Sequence, residues 1–294
     1  MNSIMAVFFF ELKRIMTRGR AFWWGVVATF PVAIMLLMKK YVDFGPQEAA
    51  PPQTISTVFT IVLYFVAPTI SCMLGALLTA APAVASELEQ HSWIYLAVRP
   101  NGLFHLIVGK YLVAVMWTAS ATVTGVIIAV SLAAVDGPAD VTAAVEQQQR
   151  SNSTDAAEMV PGIIDKGQVT QAMVCLSLLS ACAYSALYMM LGTVFNRRAM
   201  VLCVAYTAAV ELFLGFFPAV INRFTIQYRL RSLLFEWTPQ SEQFRRLDLV
   251  DLVASDESAF TQIMWLMSWI ALFLAIALVS VQVREFTSAS ETDV

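Results

Sequence analysis

Charge is scarce in this sequence. Asp, Glu, Lys and Arg make up 13% of its 294 residues, while hydrophobic residues make up 59%. Soluble domains carry about a quarter charged residues. A soluble chain of this length would bury one core and still need a charged surface, so an ordinary soluble domain is excluded and a lipid environment is implied. Histidine is also scarce, with two residues in the chain. His91 stands one helical turn from Glu87, but a metal site needs about three or four ligands, so no metal is assigned. The G-x-x-x-x-G-K-[ST] phosphate loop, G-x-S-x-G and H-E-x-x-H are all missing. The chain is therefore not expected to be an enzyme by itself, and no catalytic residues are assigned. A net charge of -3 gives no electrostatic case for nucleic acid as a partner. The four cysteines, Cys72, Cys175, Cys182 and Cys203, fall inside apolar stretches and read as small hydrophobes.

What is present is a series of apolar runs. A helix needs about 20 apolar residues to cross the hydrocarbon core. Ala21–Met38, Ile55–Ser86, Tyr111–Val135, Gln168–Asn196 and Ser258–Val283 meet or approach that length without a charge, and Ala199–Asn222 does so around Glu211 alone. Runs of this length satisfy their backbone as helices rather than barrel strands. The fold class is an all-α membrane protein with six crossings: 21–38, 57–85, 110–135, 168–195, 199–220 and 258–283. The first run follows basic residues but lacks a small-x-small cleavage site before Lys39-Lys40, so it reads as a retained helix. Basic residues flanking it (Lys13, Arg14, Arg18 and Arg20 before, Lys39 and Lys40 after) favour the N-terminus inside, and six crossings return the C-terminal tail, 284–294, to the same side.

Between the runs, four segments stand out. An amphipathic helix over about 3–20 sets Ile4, Phe8, Leu12 and Ile15 on one face, with Glu11, Lys13, Arg14 and Arg18 largely elsewhere, and reads as lying on the cytoplasmic interface. A cytoplasmic loop, 86–109, mixes charge with apolar residues. An acidic, Gln- and Ser-rich external loop covers 136–167. In the external segment 221–257, Ile226, Leu230, Leu233, Leu234 and Trp237 recur at helical spacing beside Arg223, Arg229 and Arg231. They read as an interfacial helix with its arginines snorkelling to headgroups. Glu211 is the lone ionisable residue inside a run, and such residues face a bundle interior or a watery cavity. It is a pathway candidate or, alternatively, a structural carboxyl bonded to a neighbouring helix. Ser177, Ala181 and Ser185 stack four apart, as do Gly75 and Thr79, at a spacing that serves helix packing within or between chains.

The segment Glu87-Leu88-Glu89 through Trp93, Arg99 and Pro100 to Gly109-Lys110 resembles the loop after the second membrane helix of ABC-2 type ABC transporter permeases. That pattern is an acidic E-x-E, a short apolar helix ending near a proline, and a G-K that opens the third helix. His91-Ser92 stands where many members carry Gly-Thr. The basic amphipathic "elbow" (Lys13, Arg14 and Arg18), the tight Asn196-Arg197-Arg198 turn and the long external segment follow in the family's order. The resemblance implies a permease subunit, an exporter in the bacterial inner membrane, working as a homodimer. A separate cytoplasmic ATPase would supply ATP and Mg2+ chemistry, and this chain would hold no cofactor. Glu87, Glu89, Trp93, Arg99 and Pro100 would form the coupling element, and Glu211 would border the pathway. A secondary transporter independent of ATP, or a non-transporting membrane anchor of a complex, is the alternative.

Overall fold

The computed structural model describes residues 3–44, 59–89, 102–134, 166–195, 198–214, 225–238 and 257–291. These residues form helices and no strand. In chain order the helices are α1 (Ser3–Ile15), α2 (Arg18–Phe44), α3 (residues 59–89), α4 (Gly102–Ala134), α5 (Lys166–Val194), α6 (Ala199–Tyr206, continued over Thr207–Leu214), α7 (Ile226–Trp237) and α8 (Ala259–Glu291). Five contain segments long and apolar enough to cross a membrane: Arg18–Lys40, Phe59–Ala85, Gly102–Leu132, Gly167–Val194 and Ala259–Val283. The apolar part of α6, Ala199–Glu211, is shorter. The sixth expected crossing thus appears as a short helix, and its residues 215–220 lie outside the described ones.

Two expected boundaries move. The G-K step does not open the third long helix, because α4 begins at Gly102 and buries Leu103, Leu106 and Ile107 before Gly109 is reached. The apolar period simply continues upstream. Likewise α8 runs past Val283 to Glu291, through a stretch with no Gly or Pro to end it. The expected tail is therefore largely helical.

The interior is shared by α3, α4 and α5, with α2 packed on α4 and α8 on α5. The approaches are close because small residues line them. A Cβ added at Gly125 would lie 2.6 Å from the Ala28 carbonyl oxygen, and one at Gly192 would collide with the Ala81 carbonyl. Ser177, Ala181 and Ser185 are all buried within this one chain, so their spacing serves internal packing. The outer faces of α2 and α8 stay apolar, with Leu36, Leu37, Phe260, Met267 and Val279 exposed.

Pro68 lies within π-helical turns, Phe65–Ser71, in the middle of α3. Proline supplies no N–H and its ring wedges the preceding turn. Neighbouring hydroxyls bond to carbonyls of these turns. Ser71 donates to the Val66 carbonyl at 2.9 Å, and Ser180 of α5 donates to the Pro68 carbonyl.

α1 and α2 are two helices, not one. The helical run stops at Met16–Thr17, where the Thr17 N–H donates to the Ile15 carbonyl at 2.7 Å. The face of α1 that reads as membrane-facing packs on protein instead: Phe8, Leu12 and Ile15 join Val113 and Trp117 of α4. Glu11 lies on this inward face, contrary to its expected place, because Lys110 of α4 meets it at 3.0 Å with both side chains buried. Arg14 approaches the same carboxylate at 3.6 Å. Beside this pair, Gly109 leaves room for Val7, whose Cγ1 would lie 2.7 Å from an added Cβ. The Gly109-Lys110 step is thus where the N-terminal helix docks.

Candidate functional site

The site is built around the start of α7. The first four N–H groups of a helix have no intrahelical acceptor. Three of the four in α7 find one. Thr225, at the N-cap, accepts from the Tyr228 N–H at 3.2 Å. Glu211, arriving from the π-helical end of α6, accepts from the Ile226 N–H at 3.4 Å and from the Gln227 N–H at 3.2 Å. A carboxylate in this position also meets the positive end of the helix dipole. The Tyr184 hydroxyl of α5 donates to the same carboxylate at 3.1 Å, and Glu211 is 2% exposed. Its charge is met by three donors, so the interior tolerates it.

α6 reaches this point by lying antiparallel along α5. The Cys203 thiol faces the Tyr188 carbonyl at 3.9 Å, the Thr207 and Tyr188 hydroxyls meet at 2.5 Å, and Glu211 meets Tyr184. Tyr184 and Tyr188 stack at 6.0 Å between ring centroids. At the usual rise per residue, Tyr184 sits about 15 Å inside the end of α5 at Val194. The start of α7 is therefore deep in the bundle.

The third wall is α3. The Tyr64 hydroxyl lies 3.4 Å from both the carbonyl and Oε1 of Gln227, and the Thr69 hydroxyl donates to that Oε1 at 3.3 Å. Thr69 belongs to the π-helical turns, so the widening around Pro68 helps to place it. Gln227 Nε2 finds no partner among the described residues, and neither do the Ser177 and Ser185 hydroxyls of α5.

The arginines of α7 are not turned outward as the sequence suggests. Every residue from Ile226 to Leu234 is buried, with Arg229 7% and Arg231 6% exposed. Arg229 donates to Glu257 and to Gln262 at 2.9 Å each, and its guanidinium lies 5.2 Å from the Trp265 ring centroid. This tie to the start of α8 turns the arginine inward, since a paired and stacked guanidinium keeps its charge compensated out of water. Arg223 lies outside the described residues.

The other expected site residues lie elsewhere on the described helices or outside the described residues. Glu87 and Glu89 fall in the final turns of α3, their side chains outside the described ones, as are Trp93, Arg99 and Pro100. Lys13, Arg14 and Arg18 are exposed along α1 and at the start of α2. Among the described residues no cluster of His, Cys, Asp or Glu has a metal-ligand grouping, and the cysteines there are unbridged. An open, mainly apolar hollow between α4 and α5, lined by Ile127, Ser131, Gln171 and Cys175, has no carboxylate, histidine, lysine or arginine in its lining. Sequence reasoning missed Tyr64, Tyr184 and Gln227. The faint signal for them was a set of hydrogen-bonding side chains in otherwise apolar helices.

The arrangement has no nucleophile paired with a base. It has a polar joint of α3, α5, α6 and α7 around one carboxylate, which holds the start of α7. The sequence matches no known protein family and no characterised protein.

Proposed function

We propose that the chain is the membrane-spanning permease subunit of an ABC-2 type transporter. Two copies would form an export pathway driven by a separate cytoplasmic ATPase that binds ATP and Mg2+. The observation that carries this reading is the composite end formed by α1, α3 and α4. The acidic Glu87 and Glu89 close α3, and Gly109-Lys110 near the start of α4 receives an N-terminal helix through Val7 and Glu11. A short linker in sequence between two long helices, the second of which is braced by a docked helix, is a suitable place for an outside engine to push. Movement there would shift α3 and α4 between two packings, a population shift driven by differential binding. The joint at Glu211 lies where α3, α5, α6 and α7 meet, so it borders whatever path opens between them. In this reading α6 and the residues after it make a sixth crossing.

The test is co-purification of the tagged full chain from its own membranes in mild detergent. A nucleotide-hydrolysing P-loop protein is expected to come with it, and Glu87→Arg with Glu89→Arg is expected to abolish that association. Should no such protein appear, or should the double variant keep both association and ATPase stimulation, the reading fails. The π-helical turns around Pro68 favour one second reading, a secondary transporter with interrupted helices. It predicts transport that follows an ion gradient with no bound ATPase.

A further inference from the structure

Along most of its length the outer surface of α2 and α8 is apolar and uncharged. The outward side of α1 and the first turn of α2 are different. Phe9 and Phe10 are 55% and 67% exposed, and Lys13, Arg14, Arg18 and Arg20 are exposed beside them. From Ser3 to Lys40 the one acidic residue is Glu11, and it is buried against Lys110. Within Ser3–Lys40 this patch therefore carries cations and no exposed carboxylate, and Arg14 also approaches the buried Glu11 at 3.6 Å.

Its position is fixed by two neighbours. The opposite face of α1, with Phe8, Glu11, Leu12 and Ile15, is already filled by α4. Arg18 opens the first apolar span, Arg18–Lys40, so the patch lies where hydrocarbon gives way to headgroups. A helix with one face against protein and aromatic residues on the other needs a second apolar medium for that other face. Acyl chains supply it at this depth, and phosphate oxygens lie at the level of the four cations.

We propose that the outward face of α1 and the first turn of α2 form a binding site for an anionic phospholipid. Its acyl chain lies over Phe9 and Phe10, and its phosphate is held by Lys13, Arg14, Arg18 and Arg20. Guanidinium groups suit phosphate because they donate to it in pairs. The site does not depend on what the chain transports or on whether an ATPase drives it.

The test uses the full chain purified in a non-ionic detergent and equilibrated with equal amounts of phosphatidylglycerol and phosphatidylcholine, the retained lipids being counted by native mass spectrometry. Phosphatidylglycerol is expected to be retained in preference by roughly fivefold or more, the scale of one or more basic residues at an anionic surface. K13Q/R14Q/R18Q/R20Q is expected to bring the ratio near one, while K39Q/K40Q, at the far end of α2, keeps it. If the fourfold variant does not fold, R18Q/R20Q alone is expected to lower the ratio at least twofold. Phe9→Ala with Phe10→Ala should reduce the total lipid retained, because the acyl contact is lost. A ratio unchanged in the charge variants overturns the proposal, as does an equal fall in K39Q/K40Q. Displacement of the lipid by millimolar inorganic phosphate also overturns it, since the site would then be one for a headgroup anion alone.

Discussion

Glu211 shows how a charge can sit among apolar helices when buried donors meet it. Two backbone N–H groups and one tyrosine hydroxyl point at it. Removing it leaves those buried donors unmet, and each unmet donor costs about 1–3 kcal/mol. Glu211→Gln keeps one accepting oxygen but turns an amide N–H2 towards groups that also donate. That variant should lose about 1–3 kcal/mol of stability, and Glu211→Leu should lose more. Unfolding in detergent or nanodiscs reads this out, and a double-mutant cycle with Tyr184→Phe isolates the carboxylate–hydroxyl contact. A Glu211→Leu protein as stable as its parent would sink the assignment. The sequence marks Glu211, because a lone carboxylate in an apolar run stands out. Its partners are not legible there, since two of them are backbone donors of a helix that begins well downstream, and backbone donors carry no residue signature. Arg229 and Arg231 show the same limit. An arginine beside apolar residues reads as a snorkelling cation, and only the arrival of Glu257, Gln262 and Trp265 turns Arg229 inward.

Between elements, backbone approach governs the packing. Lipid gives helices little hydrophobic reason to associate, so close van der Waals contact between small residues does much of the holding. Gly192 of α5 sits against the Ala81 carbonyl of α3, where an added methyl has a backbone atom and not a flexible side chain to displace. Gly192→Ala should push α3 and α5 apart and destabilise by about 1–3 kcal/mol. Gly25 of α2 has open space around its Cβ position, so Gly25→Ala should be neutral or stabilising by up to ~1 kcal/mol through helix propensity. Thermal melting of the two variants in parallel checks this, and equal melting temperatures would refute it. The length of the apolar runs made the long helices readable, whereas the partner of each face was not. The helical period in α1 picks out Phe8, Leu12 and Ile15 correctly as one face, yet periodicity is silent on whether that face meets lipid or protein. The side chains of α4 decide it, through Val113, Trp117 and Lys110.

For the whole molecule, the open quantity is the parity of its crossings. Five long spans alone would put the two ends of the chain on opposite sides of the membrane; a sixth returns them to one side. The described part of α6, Ala199–Leu214, spans at most about 24 Å, because its π-helical second half rises less than about 1.5 Å per residue. That is short of the roughly 30 Å hydrocarbon core. Yet α6 runs antiparallel to α5 from a tight turn, and its far end already lies level with Tyr184. A sixth crossing would need the residues after Leu214, of which 215–220 are apolar in sequence. On the six-crossing proposal Glu211 would brace the start of α7 from within that crossing. The prediction is that tags placed at Met1 and at Val294 report the same compartment, read by protease accessibility in sealed vesicles of known orientation. A reporter after Ala134, beyond the end of α4, should report the opposite one. Tags on opposite sides would reduce α6 and α7 to a re-entrant pair, and with that result the six-crossing permease, though not the joint at Glu211, would have to be abandoned.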